Sequence, residues 1–324
     1  MDAAARRELR IALVGATGVV GGQLAELLAE RNFPTSELKL FASERGAAET
    51  VAIGDEDRLV TELTGPADLA GFDLAFLAVS PAVAADIIRA RPGPILIDLS
   101  AAGRTASEIL LAAPGFVERD RIAALASGEV VAIPHPSAYA LATILKALGG
   151  DPGFVAATLM LGASTGGKDE IDKLMEESAD LLNARLEVED DEQQRAFNIY
   201  PADDEAEIAD AVASQVGALL GARPRLTMRV VRVPIFYGTA LSIAIPGNQS
   251  ETWTALLREA PGVLLIEEEM PPSVIDSAGQ EAVVVNLKRA SDGAALWCVI
   301  DNARLAALCA LWVAENLSPA ENRA

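Results

Sequence analysis

The first 130 or so residues predict an α/β fold built on a Rossmann-type, doubly wound parallel sheet, and the remainder predicts an α+β second domain. Three observations carry this. A glycine-spaced turn, Gly15-Ala16-Thr17-Gly18-Val19-Val20-Gly21, sits between an apolar run and a helical segment. Short apolar runs then alternate with helical stretches. After about Val130 that alternation gives way to longer apolar strands with few helices between them.

Ile11 to Val14 is apolar on both faces, as a buried parallel strand requires. Gly15 and Gly18 permit backbone angles or close approaches that a Cβ would obstruct, and Gly21 lets the next helix, Gln23 to Arg31, lie near the strand. The free N–H groups at that helix start favour a phosphate. Leu38 to Ala42 reads as the second strand, followed by Ser43-Glu44-Arg45-Gly46. In a doubly wound sheet an acidic residue here selects a ribose 2′-hydroxyl and a basic one a 2′-phosphate. Both types are present, so position alone leaves NAD and NADP open. Asp73 to Val79 reads as a strand, Ala82 to Ala90 as a helix, and Pro94 to Leu99 as a strand.

Beyond Val130, Pro134-His135-Pro136 punctuates a strand, and Ala138 to Leu148 reads as an apolar helix closed by Gly149-Gly150. Ser137 reads as its N-cap and His135 as solvent-facing. Phe154 to Leu161 is a strand, Gly166-Gly167 a turn, and Lys168 to about Arg185 an acidic helix. The acidic stretch Leu186 to Arg195 reads as solvated surface without catalytic content. Leu226 to Val233, Ala240 to Ile245, Val263 to Glu267, Ala282 to Leu287 and Leu296 to Ile300 read as strands, and Asn302 to Asn316 as an apolar helix returning to the first domain. Domain boundaries follow at 1–133 with 302–324, and 134–301.

Composition narrows the partners. The 324 residues suffice for two cores, and 26 Lys+Arg against 47 Asp+Glu give a formal net charge of -21. That balance opposes nucleic acid and anionic membrane surfaces, which need basic patches. No apolar run reaches the length of about 18 residues that a membrane helix needs, and the polar start lacks a signal-peptide core, so the expected location is the cytoplasm. Cys298 and Cys309 lie in apolar segments and read as small buried hydrophobes. With His135 the only histidine, no zinc-type spacing exists and no metal is expected.

Several stretches in order now resemble the aspartate-semialdehyde dehydrogenases: the glycine turn, Leu40 to Arg45, Ile97-Asp98-Leu99-Ser100 followed by Arg104, Arg232 to Gly238, and Asp301-Asn302 before the last helix. The resemblance spans nearly the whole chain. It implies a Rossmann domain completed by the last helix, and a second domain carrying the catalytic residues and a dimer interface. It implies NADP, with dinucleotide contacts at Gly15, Thr17, Gly18, Val19, Val20, Gly21, Ser43, Arg45 and Asn302. It also implies two arginines, Arg104 and Arg232, that hold a small anionic ligand.

The family's chemistry is reductive dephosphorylation of an acyl phosphate through a cysteine thioester, with a histidine as acid/base. Carried over residue by residue, the nucleophile position is Pro136, the histidine position Thr239 and the substrate-orienting glutamine position Leu161. A lysine expected near Glu205 to Leu220 is missing as well. The chain therefore looks like the non-catalytic, Usg-type companions of the dehydrogenase: a dimer that binds NADP without dehydrogenase activity. Two rivals stand beside it. One is an active NADP-dependent oxidoreductase of altered mechanism in amino-acid biosynthesis, the other a structural or regulatory dimer with a vestigial glycine turn.

Overall fold

The computed structural model describes residues 8–317 apart from 55, 105–107, 150–152, 186–192, 248–249 and 291. The chain divides into two compact units, residues 1–135 with 306–324, and residues 136–305.

In the first unit, β1 (Leu9–Val14), α1 (Val19–Glu30), β2 (Thr35–Ala42), β3 (Thr50–Ile53), β4 (Glu56–Glu62), β5 (Leu74–Leu77), α2 (Pro81–Ala90), β6 (Ile95–Asp98), β7 (Leu110–Leu111), α3 (Arg119–Ala123) and β8 (Val130–Ala132) follow in order. Their strands form one sheet, β3-β4-β2-β1-β5-β6-β8-β7. Every neighbour pair is parallel except β3 with β4. Strands β5 and β6 are buried on both faces, as the apolar runs Leu74 to Leu77 and Ile95 to Ile97 require.

The second unit contains α4 (Pro136–Ala147), β9 (Phe154–Leu161), α5 (Lys168–Leu182), β10 (Tyr200–Pro201), α6 (Glu205–Leu220), β11 (Arg225–Arg232), β12 (Thr239–Pro246), α7 (Ser250–Glu259), β13 (Val263–Leu265), β14 (Val283–Ala290) and β15 (Gly293–Ile300). Its sheet runs β10-β11-β9-β12-β15-β14-β13 and mixes parallel with antiparallel pairs. Val155, Ala157, Leu159 and Leu161 alternate inward along β9, and α6 packs on β11 and on α4. The first residues of α8 (Asn302–Glu315) belong to this unit and its remainder to the first.

The fold class is as expected, with local corrections. Helix α1 begins at Val19 rather than Gln23, so Gly21 and Gly22 lie inside it. The β3 and β4 hairpin was not anticipated: Thr50 to Ile53 is too short, and Glu56 to Glu62 too polar, to stand out from a loop. Helix α6 occupies the helical stretch expected at Glu205 to Leu220, while α7 interrupts what reads as a strand-rich tail. Helix α4 starts at Pro136, whose fixed φ suits the first helical position. Ser137 is therefore buried within the first turn and is not an N-cap, and His135 is half-buried rather than solvent-facing. Gly150 and most of the acidic stretch from Leu186 lie outside the described residues.

Candidate functional site

At the end of β1 the chain turns through the glycine loop. Gly15 adopts φ +89, and a Cβ there would fall far inside contact with the Ala78 carbonyl. A Cβ on Gly21 would strike the Gly15 carbonyl oxygen, so the loop and the first turn of α1 pack backbone to backbone. Gly15 N and Ala16 N both donate to Phe41 O, at 2.7 and 3.1 Å, which ties the loop to the end of β2.

That end leads directly into Ser43, Glu44 and Arg45, all exposed. A Cβ on Gly46 would stand 2.8 Å from Thr17 Oγ1, so the two segments assigned to a dinucleotide by sequence are neighbours in space. Val19 and Val20 stand in the first turn of α1, where backbone N–H groups have no intrahelical acceptor and the Gly18 cap supplies no side-chain bond. The arrangement lies at the carboxyl ends of the central strands, where ligands of open α/β sheets bind.

Arg104 belongs to the same unit and is committed to backbone. Its Nε donates to Ile133 O at 2.8 Å and its Nη2 to Leu99 O at 2.9 Å. Buried Asp98 holds the same loop, accepting from Ser100 N at 2.8 Å and Gly103 N at 2.7 Å. Burial pushes the Arg104 guanidinium down to about 10, against the upward pull of the Asp98 carboxylate.

In the second unit the sheet register gathers the residues. Tyr200 pairs with Arg232, Arg232 with Leu161, Leu161 with Thr239, and Thr239 with Ile300. Residues opposite one another across a ladder share a face. Three positions far apart in sequence, Leu161, Arg232 and Thr239, thus form one row. Leu161 and Thr239 are buried, and Thr239 Oγ1 has no hydrogen-bond partner among the described residues. Arg232 donates through Nη1 to Thr165 Oγ1 at 3.0 Å and through Nη2 to Asp204 Oδ1 at 3.2 Å.

Asn302, the first residue of α8, ties the turn after β9 to the residue before β12. Its Oδ1 accepts from Ser164 Oγ at 3.0 Å and from Gly238 N at 3.1 Å. Asp301 caps the same helix by accepting the Arg304 N–H at 3.0 Å.

The row holds no thiol, and its one hydroxyl is that of Thr239. Pro136 opens α4 without a reactive side chain. Cys298 and Cys309 are buried, and burial pushes both thiols far up, away from the reactive thiolate. Among the described residues no cluster of three or more His, Cys, Asp or Glu is placed to hold a metal ion, and no helix is long and apolar enough to cross a membrane.

One residue escaped the sequence reading. Arg195, placed there in a solvated acidic stretch, is half-buried between Glu170 and Glu177 and lines a cavity with Arg232. The one available signal was a lone cation ending an acidic run.

Two family models match the chain. The model for the semialdehyde dehydrogenase NAD-binding domain matches residues 10–125, and that for the semialdehyde dehydrogenase dimerisation domain matches residues 141–305. A USG-1 protein homolog from Pseudomonas aeruginosa is 32% identical, with 95% of this chain and 97% of that protein covered. An aspartate-semialdehyde dehydrogenase from Synechocystis sp. is 31% identical, with 95% and 97% covered. In three dimensions, aspartate semialdehyde dehydrogenase II from Vibrio cholerae matches with a TM-score of 0.83 at 26% identity, covering 95% of this chain and 98% of that one.

Proposed function

The chain belongs to the semialdehyde dehydrogenase family, and from that premise we propose that it is an NADP-binding dimer that no longer performs the family's thioester chemistry. One observation carries the reading. The positions that the family resemblance assigns to nucleophile, acid/base and substrate amide hold Pro136, Thr239 and Leu161, and the last two stand directly opposite in the β9/β12 ladder. A thioester needs a thiolate, and a proline removes that route altogether. Replacing histidine by threonine also removes a proton-transfer group of the kind that contributes about 10²- to 10⁴-fold.

The nucleotide half keeps its parts. The loop Gly15 to Gly21 adjoins the turn bearing Ser43 and Arg45, which supports a 2′-phosphate and hence NADP over NAD. Arg232 supports retention of a small anionic ligand. Arg104, whose described bonds go to carbonyls, is assigned to that ligand by the resemblance. Dimerisation is supported by the match to a dimerisation domain and by exposed apolar side chains on the second unit, Phe197, Phe236 and Tyr237 among them. A cytoplasmic setting completes the proposal.

Titration calorimetry with both cofactors tests it. NADP is expected to bind more tightly than NAD, and Arg45→Met is expected to weaken NADP about tenfold while leaving NAD unchanged. Aspartate semialdehyde, phosphate and NADP together are expected to yield no NADPH. Binding of neither cofactor at millimolar concentration, or phosphate-dependent NADPH formation that survives Pro136→Ala, overturns the reading.

A further inference from the structure

The parallel strands β4-β2-β1-β5-β6-β8 of the first unit follow the order 3-2-1-4-5-6 of a sheet built from two mononucleotide-binding halves, with β3 and β7 added at its edges. The order reverses between β1 and β5. The glycine loop and the turn bearing Ser43 and Arg45 follow β1 and β2, so the strand ends left for the second nucleotide are those of β5, β6 and β8.

Those three ends are tied together just past their strands. Leu99 N donates to Leu77 O at 3.0 Å, and Ile133 N donates to Asp98 O at 2.8 Å. After β6 the chain doubles back through residues 99–104 in a closed knot. Asp98 accepts Ser100 N through Oδ1 and Gly103 N through Oδ2, and Ser100 Oγ accepts Ala102 N at 3.0 Å. A Cβ on Gly103 would stand 2.9 Å from Asp98 Oδ2, so a side chain there would displace that buried carboxylate.

Arg104 closes the knot. Among the described residues its side chain donates to Ile133 O and Leu99 O, the carbonyls one residue beyond β8 and β6. One guanidinium thus spans two neighbouring strand ends, using the fixed spacing of its fork. A lysine ammonium lacks that spacing.

We propose that Arg104 is a positioning residue for the second, nicotinamide-bearing half of a dinucleotide, acting through the Leu99 and Ile133 carbonyls to fix the strand ends on which that half rests. The inference rests on the dinucleotide reading of the glycine loop. It gives Arg104 a task in the nucleotide half, separate from the small anion. None of the described Arg104 bonds reaches the glycine loop or the turn bearing Ser43 and Arg45, so its loss separates the two halves of the ligand.

The test is calorimetry of the full chain with NADP and with 2′,5′-ADP, which carries the adenosine half and the 2′-phosphate without a nicotinamide. The unaltered protein is expected to bind NADP about tenfold more tightly than 2′,5′-ADP. Arg104→Met is expected to weaken NADP about tenfold and to leave 2′,5′-ADP within about twofold. Arg104→Lys, which keeps a donor for one carbonyl, is expected to fall between. Gly103→Ala keeps the arginine and disturbs the knot; it is expected to show the same split, and it decides the matter if Arg104→Met does not fold. Equal losses of the two ligands overturn the inference, since the knot would then only support the unit as a whole. Undiminished NADP binding in both variants overturns it too. If the unaltered protein binds the two ligands equally, this inference fails alone; if it binds neither, the dinucleotide reading fails as well.

Discussion

The glycine loop of the first unit and the strand row of the second are two candidate sites built from different material. The loop offers backbone: N–H groups at the start of α1 and close contacts that only glycine allows at Gly15 and Gly21. The row offers side chains, set side by side by the register of β10, β11, β9 and β12. A backbone site cannot be altered without disturbing the fold around it. A side-chain site can be emptied one residue at a time while the ladder beneath stays intact. On the proposed reading Leu161 and Thr239 illustrate this, being well-buried strand residues at positions that the family resemblance assigns to an amide and an imidazole.

The strongest attempt to break this contrast is to refill the row. Pro136→Cys, Leu161→Gln and Thr239→His together return the reacting groups, with the last two on opposed positions whose Cβ atoms lie about 5 Å apart. Phosphate-dependent reduction of NADP with aspartate semialdehyde is expected to rise from none to a measurable rate, at least about 10²-fold above background. Cofactor binding with no turnover would show that more than these three side chains separates the site from an active one.

The converse attempt damages the loop. Gly15→Ala forces a side chain onto a left-handed residue against the Ala78 carbonyl. A stability loss of about 2–4 kcal/mol is expected, with loss of dinucleotide binding, read by chemical denaturation and calorimetry. Full affinity in that variant would mean that the nucleotide does not use the loop.

A smaller effect is expected from Asn302→Ala, which strands the Ser164 hydroxyl and the Gly238 N–H in a buried place. The cost is about 2–3 kcal/mol, measured as a shift in the denaturation midpoint at constant slope. The smallest concerns acid. Burial alone would raise the Glu170 carboxyl, but bonds from Lys173 and Arg195 outweigh it and hold the group below its ordinary value. A carboxylate depressed in the folded state stabilises the fold at pH above its unfolded range, and that contribution is lost as pH falls through the folded value. Glu170→Gln is expected to lower stability at neutral pH by less than about 1 kcal/mol and to flatten its decline in acid. An unchanged acid limb would show that other carboxylates govern it.

The same contrast explains how far the sequence could be read. Glycine spacing at Gly15, Gly18 and Gly21 and the buried runs of β1, β5 and β6 stand out because the backbone demands them. The convergence of Leu161, Arg232 and Thr239 is invisible along the chain, since it exists only once strand register is set. Arg195 was missed for a related reason. An arginine ending an acidic run reads as solvated, and only the fold brings Glu170 and Glu177 on α5 against it. Helix α4 starts two residues before the sequence pattern puts it, because Pro136 reads as a break along the chain and is a first helical residue in the fold.

Helix α8 carries a consequence for the order in which the protein comes into being. Its residues from Ala306 onward belong to the unit whose other members, up to His135, are made first. During synthesis the earlier unit thus waits, one helix short, while the whole of the later one emerges. The part translated earliest therefore receives its last element only after every strand of the other unit has been made.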